Sequence, residues 1–265
     1  MATLPPFPGT DGKRDWRTAI DAIKKLMNNG DDTQQVFRIM RALNVGNAPE
    51  NYAKLIATEK GGRIAQDHVE LAERFTDPAF VASFAPGTVG AAYRHFLEST
   101  GYSADGLVAV SKLAPDEDDM VHPYAWMGRR IRDTHDIWHV LTGYQADESL
   151  GEAALVAFSY AQVGGLGWAF IAAAASLKSL NVTKGTLFAK AVIEGYRHGR
   201  AAKGISGEDY LELLHEPIDE ARRRLNIKEP VAYRRAQREL GPAMASYLSA
   251  QKERAGAIEP ERLAA

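Results

Sequence analysis

The sequence predicts an all-α protein, a single helical domain of about ten or more helices with a metal site on a helix–loop–helix. Three observations point there. Apolar residues recur with the period of about 3.6 that marks an amphipathic helix. No stretch alternates apolar and polar as a half-buried strand does. Short clusters of Gly, Asn, Asp and Pro separate the periodic runs. The 265 residues suffice to bury a sizeable core. Residues 1–265 are read as one domain, with 1–12 and 256–265 expected to be poorly ordered.

Each helix has its own signal. Trp16, Ile20, Ile23 and Met27 share a face that ends at the Asn28-Asn29-Gly30 turn. Val36, Ile39, Met40 and Leu43 form the next, entered through the capping residues Asp31-Asp32-Thr33. Further helices fit 52–57, 64–75 and 88–99, the last capped by Thr88 after Pro86-Gly87. Residues 104–119 read as a long irregular connection. A helix over 125–141 stops at Gly143, and another, capped near Asp147 or Ser149, carries Glu152. The last third reads as helices over 186–201, 208–214, 217–225 and 231–252.

Composition narrows the function. A net charge of −2 gives no electrostatic case for nucleic acid. The absence of cysteine excludes disulfides, thiolate metal sites and cysteine nucleophiles. The first residues lack the charged and apolar regions of a secretory signal, so a bacterial cytoplasmic protein is expected. Residues 153–177 carry no charge, a length that can span a bilayer. Gln162 and the glycines at 164, 165 and 167 favour a buried hairpin or kinked helix instead.

The chemistry concentrates in His135-Asp136-x-x-His139 and Glu152. On a helix the two histidines lie one turn apart on one face, with Asp136 at its edge. The segment 142–150 lets the chain reverse and bring Glu152 back to the same point. Imidazoles and carboxylates suit zinc, iron or manganese. Four protein ligands would close the site; three plus water would leave it open for chemistry. Blander readings stand beside these: Asp136 can pair with Arg132 as a surface ion pair, and Glu148 is a nearer carboxylate, though close to the loop.

A wider pattern joins these residues: Pro86-Gly-Thr-Val-Gly-Ala-Ala-Tyr93, then Arg132-Asp-Thr-His135-Asp-Ile-Trp-His139-Val-Leu-Thr-Gly143, then Leu150-Gly151-Glu152. It resembles the coenzyme Q (ubiquinone) biosynthesis protein four family. The likeness extends more weakly to Leu26–Phe37, to Glu194-Gly195-Tyr196 with Gly199-Arg200, and to Glu220–Ile227. The segment between His139 and Glu152 is one residue longer than the family's usual spacing, and the extra residue falls within 144–149. The resemblance implies an all-helical, often dimeric protein working peripherally at a membrane among other ubiquinone-biosynthesis proteins. For this chain that means peripheral association with the inner membrane. It also implies a metal, zinc above all, held by His135, Asp136, His139 and Glu152. The implied activity is removal of the C1 carboxyl of a polyprenylated hydroxybenzoate, with or without hydroxylation at that carbon. The alternative is a lipid-binding scaffold that organises the pathway.

Beside that resemblance, Arg132 is a candidate to steer the substrate carboxylate, and Tyr144 and His122 are candidate proton donors, each with an ordinary packing role as the plainer reading. Small residues at 164, 165, 167 and 172–175 leave room either for an isoprenoid tail or for tight helix packing and a dimer interface. Lys24 and Lys25 beside the first apolar face allow membrane contact. An HD-type phosphohydrolase, suggested by His135-Asp136, ranks last because the separate upstream His and downstream Asp it needs do not stand out.

Overall fold

The computed structural model describes residues 13–30, 32–103, 106 and 122–244. Among them the chain is helical throughout, with no strand and one isolated bridge between Thr88 and Pro217. The helices are α1 (Trp16–Asn28), α2 (Thr33–Leu43), α3 (Asn47–Ile56), α4 (Gly61–Asp67), α5 (Leu71–Phe75), α6 (Pro78–Ala82) and α7 (Val89–Thr100). They continue as α8 (Pro123–Asp133), α9 (His135–Thr142), α10 (Ser149–Val163), α11 (Leu166–Thr183) and α12 (Leu187–Ala201). A 3-10 turn (Ile205–Gly207), α13 (Tyr210–Leu213), α14 (Ile218–Arg224) and a last helix, α15 over 231–244, complete the order.

The core is built around α10. Ala153 through Ser159 are all buried, as expected of a helix apolar on every side. Gly195 and Gly199 on α12 allow that helix to come against it. A Cβ at Gly195 would sit 2.3 Å from the Ala154 carbonyl oxygen, and one at Gly199 would sit 2.5 Å from that of Phe158. Large side chains then close over the contact. Phe158, Leu155 and Phe188 are buried, each contributing about 1.5–3 kcal/mol by leaving water.

The uncharged stretch is a hairpin of two helices, α10 and α11, separated at Gly164-Gly165. Both glycines have positive φ, 71° and 91°, which side chains disfavour. Asn47 and Asn51 donate to the Val163 carbonyl, each at 2.8 Å, and so satisfy the end of α10. Gly165 and Gly167 pack against Asn44, which accepts from the Gly167 N–H at 2.8 Å. Gly165 and Gly167 thus serve tight packing. No helix among the described residues is long and apolar enough to cross a membrane.

Two expected single helices are divided. The 64–75 run breaks at His68, whose φ is 50°. The 125–141 run breaks at Thr134, where α8 ends and α9 begins. The Thr134 hydroxyl donates to the carbonyls of Arg130 at 2.9 Å and Ile131 at 3.3 Å, competing with the helical ladder. Thr88 caps α7 as expected, its hydroxyl accepting from the Ala91 N–H at 3.2 Å. The expected connection over 104–119 lies outside the described residues except for Gly106, as do the terminal segments expected to be poorly ordered.

Replacing Gly195 with Ala should destabilise the protein by about 1–3 kcal/mol, because a backbone oxygen occupies the new Cβ position. Urea unfolding of the Gly195→Ala variant checks this, and an unchanged midpoint would contradict the close approach of α10 and α12.

Candidate metal centre

The site is assembled by α9 and α10 and the loop between them. Helix α9 ends at Gly143, whose φ of 77° closes the helix and whose N–H donates to the His139 carbonyl at 2.8 Å. Arg222 on α14 donates to the carbonyls of Leu141 and Val140, both at 3.0 Å, satisfying two more acceptors at that end. The loop then returns, and Gly151 allows α10 to start close against it. A Cβ at Gly151 would lie 2.0 Å from the Gln145 carbonyl oxygen. The residue after this contact is Glu152.

The result is that His135, His139 and Glu152 converge, each offering one ligand atom, with all three atoms within 4.8 Å of one another. The His139 Nε2 to Glu152 Oε1 distance is 3.3 Å. That is near the edge of a tetrahedron with bonds of about 2.1 Å, roughly 3.4 Å. The two imidazole rings lie edge to face with centroids 4.8 Å apart, and Phe96 stacks on His139 at 5.9 Å. The His139 side chain is 0% exposed, whereas Glu152 is 40% exposed, so the site opens on the carboxylate side.

Proton placement tests whether a cation fits. His139 Nδ1 lies 2.8 Å from the Tyr144 carbonyl oxygen, which only accepts, so Nδ1 carries the proton. In the neutral ring Nε2 then holds a lone pair. This buried atom has no hydrogen bond, and it faces a carboxylate. Two acceptors in that position repel unless a proton or cation lies between them, and an unmet buried group costs about 1–3 kcal/mol. A divalent ion satisfies both.

The other electrostatics agree. Burial disfavours the imidazolium of His135, yet its hydrogen bond to Asp136 and the charges of Glu152 and Asp136 raise its pKa overall. Desolvation pushes the Glu152 carboxyl up, but His139 and His135 more than offset it, leaving the group below its ordinary value. The pocket thus favours positive charge.

Asp136 is not one of the converging group. It lies about 100° round the helix from His135, and its Oδ1 sits 3.5 Å from His135 Nδ1. A carboxylate there orients the ring and leaves Nε2 for a metal. Three of the four expected ligands thus converge, and Asp136, the fourth, lies against the His135 ring.

The remaining candidates have other contacts. Arg132 Nε donates to Asp133 Oδ1 at 2.8 Å, and both side chains are nearly buried. His122 caps α8, its Nδ1 accepting from the Tyr124 N–H at 3.2 Å. Tyr144 contributes its backbone carbonyl, while its buried ring lies against Tyr233 and its hydroxyl is 3.5 Å from His198 Nδ1. Burial, with the charge of Glu194, raises the Tyr144 phenol well above its ordinary value. Glu148 is engaged by Tyr233 and Gln237. Sequence reasoning missed Phe96 and the role of the Tyr144 carbonyl; no residue-type signal marks a backbone acceptor.

This is an all-helical protein carrying a group of two imidazoles and a carboxylate able to hold a metal ion. The family profile of the coenzyme Q (ubiquinone) biosynthesis protein Coq4 matches residues 18–231, and the chain belongs to that family. Among curated relatives, the mitochondrial ubiquinone biosynthesis protein coq4 of Pyrenophora tritici-repentis is 29% identical over 198 residues, 70% of this chain and 63% of that protein. The mitochondrial COQ4 homolog of Danio rerio is 30% identical over 155 residues, 58% of this chain and 54% of that protein. The chain therefore spans somewhat over half the length of these relatives. A crystal structure from Nostoc punctiforme, described as of a ubiquinone biosynthesis protein, has a TM-score of 0.60 at 19% identity. It covers 82% of this chain and the whole of that one, a likeness of fold.

Removing either imidazole should abolish stoichiometric metal binding. Metal analysis of His135→Ala and His139→Ala after dialysis checks this, and full occupancy in either variant would contradict the site. Because the ligands bind as neutral imidazoles and the His135 pKa is raised above the ordinary imidazole value, affinity should fall as pH drops, beginning above that ordinary value of about 6.5. Titration with Co(II) between acid and neutral pH reads that sign directly.

Proposed function

We propose that the protein is a metal-dependent enzyme of ubiquinone biosynthesis that removes the C1 carboxyl of a polyprenylated hydroxybenzoate. The observation that carries this reading is a three-residue centre, open on its Glu152 side. Three protein ligands and an open position are the arrangement of catalytic rather than structural zinc sites. His135, His139 and Glu152 would hold the ion, most suitably Zn2+. When bound, it would supply Lewis acidity toward the carboxylate or ring oxygen of the substrate.

The chain's own residues do the rest. Asp136 keeps the His135 ring oriented, and the Tyr144 carbonyl keeps the proton of His139 on Nδ1. Phe96 and the buried flank of His139 exclude water from one side. Arg132, anchored on Asp133, is the cation proposed to steer the leaving carboxylate. In the simple reaction the C1–carboxyl bond breaks, its electron pair enters the ring, and a proton is delivered to C1. Hydroxylation at the same carbon would require an external oxidant.

The tail has a candidate berth. A groove of about 360 Å³ lies among α10, α11 and α12, lined by Ala157, Tyr160, Ala172, Ala173, Ile193 and Tyr196. It starts on α10 shortly after Glu152, and Ile193 and Tyr196 within it are exposed. This apolar surface also favours the second reading, a lipid-binding scaffold with peripheral membrane contact, inner-membrane in a bacterial cytoplasm, or a homodimer contact. Other ubiquinone-biosynthesis proteins are the proposed partners in either case.

The deciding experiment restores the gene to a strain lacking its homologue. The wild-type protein should return quinone, and His139→Ala should return almost none while the carboxylated prenyl intermediate accumulates. Full restoration by His139→Ala would reject the enzyme and favour the scaffold.

A further inference from the structure

We infer that Tyr233 and Glu148 are positioning residues for His139, acting through the peptide bond between Tyr144 and Gln145. The inference rests on the reading of His135, His139 and Glu152 as a metal centre. Both faces of that one peptide unit are engaged. Its carbonyl accepts from His139 Nδ1 at 2.8 Å. Its N–H, on Gln145, donates to the Tyr233 hydroxyl oxygen at 3.0 Å. The Tyr233 hydroxyl in turn donates to Glu148 Oε1. Each donor and acceptor therefore runs in one order, from imidazole through amide and phenol to carboxylate, and the free lone pair of His139 is left at the metal end.

The order has a chemical consequence. An acceptor at an amide N–H and a donor at its carbonyl both favour the charge-separated form of the amide, so the two bonds strengthen each other. The charge on Glu148 polarises the phenol, the phenol the amide, and the amide the imidazole. The ring becomes a better ligand in a single tautomer, as with a carboxylate behind a metal-bound histidine. Burial and the Glu148 carboxylate hold the Tyr233 phenol protonated, as a donor must be.

The parts are themselves held in place. Glu194 on α12 accepts from the backbone N–H groups of Ala232 at 2.8 Å and Tyr233 at 2.9 Å, fixing the start of α15. The Tyr233 ring packs edge to face on Tyr144 with centroids 5.0 Å apart. Gln237 donates to Glu148 Oε1 at 3.1 Å and to Gln145 Oε1 at 2.6 Å. Gly151 lets α10 close on Gln145, so one contact positions both the relay peptide and Glu152.

The test uses the full chain with Tyr233→Phe, which keeps the ring and deletes the hydroxyl, and Glu148→Gln, which keeps an acceptor and deletes the charge. Gln162→Ala is the control. It removes part-buried bonds to the Gly199 carbonyl and from the Ile205 N–H at the far end of α10. Co(II) and Zn(II) dissociation constants are measured by competition, and 15N NMR reads the His139 ring in metal-free protein. The expected result is a Kd about tenfold weaker in Tyr233→Phe, a smaller loss in Glu148→Gln and none in Gln162→Ala. The metal-free wild type should show His139 protonated at Nδ1, with that signal shifted in Tyr233→Phe. Wild-type affinity and an unshifted ring in Tyr233→Phe would overturn the inference. So would equal weakening in Gln162→Ala, which would mean general loosening. Should Tyr233→Phe fail to fold, Glu148→Gln decides alone by the same two readouts. If the wild type binds neither metal, the metal reading fails, and the NMR comparison still judges the relay.

Discussion

The hydrogen bond from His139 to the Tyr144 carbonyl is where the requirements of fold and site meet. A carbonyl cannot donate, so this contact places an imidazole proton on Nδ1 and leaves Nε2, buried and 3.3 Å from Glu152 Oε1, to be met by a proton or a cation. The loop that supplies the carbonyl must follow α9 at once, which the positive φ of Gly143 permits. It must also lie against α10, which the missing side chain of Gly151 permits. A shift in either glycine would move the acceptor away from the ring. Much of the surrounding packing holds this short stretch of backbone in place.

That packing follows from close helix approach. Gly195 and Gly199 bring α12 onto the backbone of α10, and Gly165 and Gly167 fit α11 beside Asn44 on the chain leaving α2. With α10 wrapped on all sides, its first turn is presented at a defined depth, and Glu152 is held there partly exposed while His139 is sealed. The difference in exposure gives the centre a direction: protein behind the imidazoles, access in front of the carboxylate. An ion held there would keep a face for another molecule.

Much of this was legible beforehand, for local reasons. The pair His135 and His139 follows from helical period alone, because residues four apart share a face. Glu152 was reachable because the intervening loop is short, and the extra residue in it left the geometry intact. Asp136 sits about a 100° turn round the helix from His135, with its carboxylate against that ring, a placement that sequence proximity hides. Glu148 is engaged by Tyr233, which lies on a helix distant in sequence, and no pattern links them. The break at Thr134 was hidden because a threonine inside an apolar run looks like ordinary helix until its hydroxyl takes the backbone carbonyls.

The sequence by itself therefore determined the helical class, the family and the imidazole pair. These depend on periodicity and on residues near one another along the chain. Tertiary structure alone decided which carboxylate faces the imidazoles and which stands behind them, which nitrogen of His139 carries its proton, and what holds that proton in place. Those outcomes depend on backbone groups and on side chains from α10, α12 and α15 meeting in space. A peptide carbonyl has no letter of its own in a sequence, and its direction is set only when the helices around it have packed.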